Sequence, residues 1–220
     1  MVLTNEAVFL GHTPLRGASA FLVQDEKHGV IAATALHLLG ENGGVEPRVD
    51  PADLDQVLKR WKLYARTKPQ AGLDVGGLCV CSSGQKHYDW LALRLKEASG
   101  DLPATPLRLR AKPVELGELV HLVGVAYSEP EVAQKVYSGR VTGRAPGGRF
   151  KYDISPPVDL RGFSGAPIVD EKGLAVGVMS VWFNPKMDGD RMTEAGGEDA
   201  ASLLECLDSA SGGDRGEKRK

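Results

Sequence analysis

Ser164 stands between glycines in Gly162-Phe163-Ser164-Gly165-Ala166-Pro167, a setting in which a serine can serve as a nucleophile. Glycine admits backbone angles closed to other residues. A turn built on it can aim successive N–H groups into one small space, where they bind a carbonyl oxygen as it gains negative charge. A lone hydroxyl is a weak nucleophile and needs a base. His37 supplies one: it follows the small, apolar run Ile31-Ala32-Ala33-Thr34-Ala35-Leu36, which predicts a strand delivering the imidazole to a barrel rim. The base in turn needs a carboxylate that fixes its tautomer and stabilises the imidazolium. Asp89 opens Asp89-Trp90-Leu91-Ala92-Leu93-Arg94-Leu95, a lone acid at the head of a buried strand. His87 is a rival base without the small-residue strand. Asp74 and Asp153 are rival orienters that read as turn residues. His12, His28 and His121 carry no such context.

These side chains can meet only if the chain between them folds onto shared rims. Short apolar runs recur between Gly, Pro, Asn and Asp, at 18–24, 29–33, 61–66, 75–82 and 90–95, then at 119–125, 135–144, 150–154, 165–169 and 175–182. Their length and their β-branched and aromatic content predict strands. Leu54, Val57, Leu58 and Trp61 recur at helical spacing behind Asp50 and Pro51, which predicts an inserted helix over 51–61. Ala201, Leu204 and Leu207 share one face of a second helix over 198–209. Prolines 103, 106 and 113 make 98–113 an extended linker. Strands, linker, strands and a terminal helix predict an all-β fold of two barrels. One domain then covers 1–210, with an N-terminal barrel over 1–97 and a C-terminal barrel and helix over 114–210. The basic stretch 211–220 reads as a disordered tail.

The bulk numbers narrow the function classes. A formal net charge of -2 offers no bulk attraction to nucleic acid or membrane. No apolar run is long enough to span a bilayer, and the first 15 residues lack the pattern of a signal peptide. The chain has 3 cysteines, Cys79, Cys81 and Cys206. That is too few for a disulfide framework, and the odd count predicts a reducing, cytoplasmic location. Cys79 and Cys81 fall on one face of a predicted strand, with a spacing unlike that of a zinc site.

Taken together, the three chemical segments resemble the signatures of trypsin/chymotrypsin-like serine proteases, of the bacterial or intracellular kind. Thr34-Ala35-Leu36-His37 is similar to T-A-A-H, Asp89-Trp90-Leu91-Ala92-Leu93 to D-I-A-L-L, and Gly162-Phe163-Ser164-Gly165-Ala166-Pro167 to G-D-S-G-G-P. Their order, His then Asp then Ser, is that of chymotrypsin-like enzymes. Ser19-Ala20-Phe21-Leu22-Val23 resembles the family's strand before the histidine, and the likeness extends over 16–183. The resemblance implies two six-stranded antiparallel barrels and peptide hydrolysis through an acyl-enzyme, with no metal or organic cofactor. It implies Ser164 as nucleophile, His37 as base and acid, Asp89 as orienter, and the N–H groups of Gly162 and Ser164 as oxyanion donors. Ser180 would begin the strand that pairs with a peptide or protein substrate. Val158 would floor the specificity pocket and favour an apolar side chain, although Asp159 is adjacent.

Phe163 departs from the pattern, because digestive and clotting proteases carry there an Asp that pairs with a newly cut N-terminal amine. Activation by that route is therefore not expected. Two further readings stand beside an active endopeptidase: a non-catalytic scaffold that binds a partner through its cleft, and a dormant enzyme that a partner switches on.

Overall fold

The computed structural model describes residues 2–83, 87–96, 101–129, 131–180 and 184–210. The expected tail at 211–220 lies outside them. The N-terminal half forms strands β1 (Leu3–Phe9), β2 (Leu15–Asp25), β3 (Gly29–Thr34), β4 (Leu58–Tyr64), β5 (Gly72–Leu78) and β6 (Leu91–Leu95). They close into an antiparallel barrel in the order β1-β2-β3-β6-β5-β4. The second half contributes β7 (Leu119–Gly124), β8 (Lys135–Ala145), β9 (Arg149–Val158), β10 (Pro167–Val169), β11 (Ala175–Met179), β12 (Met187–Asp188) and β13 (Arg191–Asp199). Pairing of β11 with β13 closes β11-β10-β7-β8-β9-β13 into a second barrel, and β12 hangs from it as a hairpin arm. Helical pieces are α1 (Leu54–Val57), α2 (Val80–Ser83) and α3 (Ala200–Ala210). The all-β, double-barrel expectation holds.

Several local expectations do not. The helix expected over 51–61 is a 3-10 turn at Pro51–Asp53 followed by the single turn α1. Asp50 does cap it, accepting from the Ala52 N–H at 2.9 Å. From Leu58 onward the chain is strand β4, because pairing with β1 at Trp61↔Ala7 and Leu63↔Asn5 buries both side chains in the barrel. The strand expected over 75–82 ends at Leu78, and the chain then turns into α2. Strands β1 and β13 were not anticipated. In β1 the buried faces belong to Leu3, Asn5, Ala7 and Phe9, so a polar residue breaks the apolar alternation. Asn5 is tolerated there because it donates to Ser19 O and Thr34 Oγ1 and accepts from Trp61 Nε1. In β13 the buried Glu194, Glu198 and Asp199 disguise a core strand as a polar segment.

Each barrel has its own apolar core, and a third cluster joins them. Phe21, Ile31 and Trp90 enter it from the first barrel, Val178 from the second, and Leu203 and Leu207 from α3. Trp90 also donates from Nε1 to Ser202 Oγ on α3 at 2.9 Å. Cys81 on α2 and Cys206 on α3 form a disulfide across a Cα–Cα distance of 5.4 Å, which leaves Cys79 free and buried. This corrects the expectation of unpaired cysteines. The turn into α2 takes Cys81 off the strand face that it was expected to share with Cys79 and presents it to α3. Burial pushes the Cys79 thiol up to about 11, so it is unreactive in the folded protein.

A thiol titration checks this pairing. Unreduced protein should show no fast thiol when folded and a single one, Cys79, in denaturant, rising to all 3 cysteines after reduction. Three thiols in unreduced, denatured protein would contradict the bridge.

Candidate active site

His37 follows β3 in a short 3-10 turn at Leu36–Leu39, and Asp89 immediately precedes Trp90 and β6. Because β3 pairs with β6 at Thr34↔Leu91, both residues emerge at the same rim of the first barrel. One Asp89 oxygen accepts from the His37 backbone N–H at 2.7 Å, and the other lies 2.5 Å from His37 Nδ1. A carboxylate only accepts, so Nδ1 carries a proton, which in the neutral ring leaves the lone pair on Nε2. Ser180, at the end of β11, donates its hydroxyl to the same Asp89 oxygen. Burial by itself would raise the Asp89 pKa. The hydrogen bonds from His37 and Ser180 and the nearby imidazole outweigh it and hold the carboxyl below the usual carboxylate range. Asp89 thus stays ionised to a lower pH than an ordinary aspartate.

Ser164 lies in the loop before β10, on the second barrel. It lines a cleft of about 480 Å³ together with His37, Gly162, Tyr127, Leu160 and Met192. The carbonyls of residues 161 to 164 are all engaged. Tyr127 N–H donates to Arg161 O at 3.4 Å, Ala166 N–H to Phe163 O at 2.7 Å and Ser19 N–H to Ser164 O at 2.8 Å. Ser19 Oγ donates to Gly162 O at 2.7 Å. Phe163 N–H and Gly165 N–H are likewise spent, on Leu160 O and Met179 O. Among the described residues, the N–H groups of Gly162 and Ser164 alone in this loop from 162 to 166 have no acceptor. Gly162 has φ +98°, a left-handed value that favours glycine, and a Cβ there would come within 3.0 Å of the Tyr127 ring. A Cβ on Gly165, at φ +85°, would collide with Ser19 O.

Phe163 is fully buried and meets Tyr137 edge-on, with ring centroids 5.5 Å apart. A Cβ on Gly124 would collide with it. An apolar anchor in the second barrel's core therefore holds the loop at the position where an ion pair was excluded by sequence. The signal was visible as an aromatic residue in a polar motif, but its packing partners were not.

Val158 is not brought to the cleft. It is buried in β9, pairs with Met192 of β13, and borders a neighbouring cavity with Asp159. The apolar cleft residues on this side are instead Leu160 and Met192. Met192 carries no sequence signal of its own, because the buried acids of β13 make its strand read as polar. Asp159 is held by Arg161 in a bidentate ion pair, which keeps its carboxyl below the usual range. Ser180 N–H bonds to Gly196 O, whereas the strand expected to continue through 181–182 passes into 181–183, outside the described residues. Of the rivals, Asp74 and Asp153 are exposed on β5 and β9. His87 borders a second cavity with His37, Asp89 and Arg149, and its carbonyl accepts from Arg149.

A second carboxyl stands behind Asp89. Glu198 is fully buried and paired with Arg149 at 2.8 Å, while its Oε2 has no hydrogen-bond partner among the described residues. Burial and repulsion from Asp89 raise its pKa against the pull of Arg149. The two carboxyls are thus pushed apart, with Asp89 keeping its charge at the lower pH.

The chain belongs to the trypsin-like peptidase domain family, which it matches over residues 18–178. Solved structures share the fold. The protease Anisep from Arthrobacter nicotinovorans aligns over 96% of this chain and 95% of its own, with a TM-score of 0.64 and 13% identity. The active form of the Rv3671c protease from M. tuberculosis aligns over 94% of this chain and 79% of its own, with a TM-score of 0.58 and 16% identity. An inactive form of that protease gives 0.54 at 15% identity, covering 94% and 88%. No curated protein sequence matches significantly. Family and fold support a protease-type function acting on peptides or proteins. No helix among the described residues is long and apolar enough to cross a membrane.

Proposed function

We propose that this chain is a serine endopeptidase that cleaves peptide bonds through an acyl-enzyme, with Ser164, His37 and Asp89 as its triad. The observation that carries this reading is the shared cleft. It holds a serine, a histidine whose Nδ1 is committed to a buried carboxylate, and a loop whose spare N–H groups are those of Gly162 and Ser164. Ser164 Oγ attacks the scissile carbonyl as His37 Nε2 takes its proton. Asp89 stabilises the imidazolium, and the two N–H groups receive the oxyanion. The proton on His37 then passes to the leaving amine. Water repeats the sequence on the ester and frees Ser164.

The dormant and scaffold readings gain no support from the loop. The carbonyls of residues 161 to 164 are pinned and Phe163 is seated in the core, which supports an active site already shaped without a partner. The substrate side chain before the scissile bond is small or medium and apolar, with Leu160 and Met192 replacing Val158 as the surface that selects it. The cytoplasmic expectation rested on the small, odd number of cysteines and on the lack of a signal-peptide pattern in the first 15 residues. With Cys81 and Cys206 joined, the first of these no longer supports it, and the bridge favours an oxidising compartment.

A fluorophosphonate probe, which bonds to base-activated serines, tests the chemistry. The purified protein should be labelled, and Ser164→Ala and His37→Ala should not. A well-folded wild type that stays unlabelled would refute the proposal. Cleavage of a peptide library should show apolar residues before the cut, and a profile led by Arg or Lys would contradict the assigned specificity surface.

A further inference from the structure

We propose that Ser19 and Tyr127 are positioning residues that hold the 161–164 loop in its oxyanion-accepting shape, so that the first barrel sets the geometry of a site carried by the second. The inference rests on the serine-peptidase reading for its chemistry, but its geometry stands alone. Each peptide unit is planar and trans, so its C=O and N–H point in opposite directions. Fixing one fixes the other. Gly162 N–H shares a plane with Arg161 O, which Tyr127 N–H holds at 3.4 Å. Ser164 N–H shares a plane with Phe163 O, which Ala166 N–H holds at 2.7 Å. The plane between them is pinned at both ends, by Ser19 Oγ on Gly162 O at 2.7 Å and by Phe163 N–H on Leu160 O at 3.0 Å. A flip of that middle peptide would turn the flanking N–H groups apart, and the Ser19 hydroxyl is the contact that opposes it from outside the loop.

Tyr127 is itself held from the first barrel. Its hydroxyl accepts from Ala18 N–H at 2.6 Å, and Ala18 adopts φ 58°, a strained value for a residue with a Cβ. The ring lies against Gly17 and Gly162, where a Cβ on either glycine would press on it. Arg66, just past β4, places its guanidinium 6.0 Å from the ring centroid and donates to Ala126 O and Glu129 O. Residues 17–19 and Arg66 of one barrel therefore grip the 126–129 segment and the 161–164 loop of the other.

Ser19→Ala and Tyr127→Phe test the proposal, each removing one hydroxyl. Loss of a direct oxyanion donor lowers kcat about 100- to 1,000-fold, and an indirect support should cost about tenfold, with KM changed less than about twofold. Affinity for a peptide boronate, whose adduct oxygen occupies the oxyanion site, should fall by the same factor as kcat. An unchanged kcat, or a change confined to KM, in variants of wild-type melting temperature would overturn it. Amide resonances of Gly162 and Ser164 in 15N-labelled protein give a readout that needs no turnover. They should shift or broaden in Ser19→Ala, and unmoved resonances would also overturn the proposal. If they move while wild-type protein resists the fluorophosphonate, the positioning role survives and the peptidase reading falls.

Discussion

The packed junction between the two barrels is the constraint on which everything else depends. His37 and Asp89 sit on the rim of one barrel and Ser164 on a loop of the other. A rotation of one barrel against the other would separate His37 from Ser164 without disturbing either core. The cluster around Phe21, Trp90, Val178 and Leu203 resists such a rotation. Helix α3 closes it like a strap, through Trp90 on Ser202 and through the Cys81–Cys206 bridge. Interiors of this kind are close-packed and transmit strain instead of yielding to it, which lets a junction remote from the cleft determine the geometry within it.

Polar contacts cross the same seam at the cleft itself. Ser180 of the second barrel donates to Asp89 of the first, while Ser19 of the first donates to Gly162 of the second. The exchange is reciprocal: each barrel contributes the hydroxyl that orients a group on the other. Glu198 and Arg149 add an ion pair on the second barrel, its carboxylate buried and its guanidinium partly exposed, with Arg149 reaching the His87 carbonyl two residues ahead of Asp89. Removing the guanidinium would be costly because the carboxylate is left buried without its counter-charge. The segment carrying Asp89 is thereby held from the second barrel as well as the first.

The segments around His37, Asp89 and Ser164 were legible in the sequence because each couples a chemical residue to a recognisable run: a small-residue strand, an acid before an apolar strand, a serine between glycines. The double barrel was legible from the spacing of short apolar runs. What escaped were elements whose local signal was inverted by tertiary partners. Asn5 reads as a surface residue until Trp61, Ser19 and Thr34 are seen around it, so β1 was lost. Glu194, Glu198 and Asp199 read as solvent-facing until their Arg and Lys partners are seen, so β13 was lost, and Met192 with it. At 51–61 the apolar period was genuine, but pairing with β1 converted its second half to strand. The disulfide joins residues separated by 125 positions, and no local pattern announces it. Tyr127 carries no motif and Ser19 reads only as the head of a strand; their importance comes from what lies across the seam.

The central claim, that the Gly162 and Ser164 amides form a ready oxyanion site beside a base-activated serine, is tested most directly by a crystal structure of the phosphonylated protein. The account predicts phosphorus bonded to Ser164 Oγ, with the phosphoryl oxygen about 2.7–3.1 Å from both amide nitrogens and the loop unmoved. Phosphorus on another residue, or a phosphoryl oxygen turned to solvent with either amide pointing elsewhere, would contradict it.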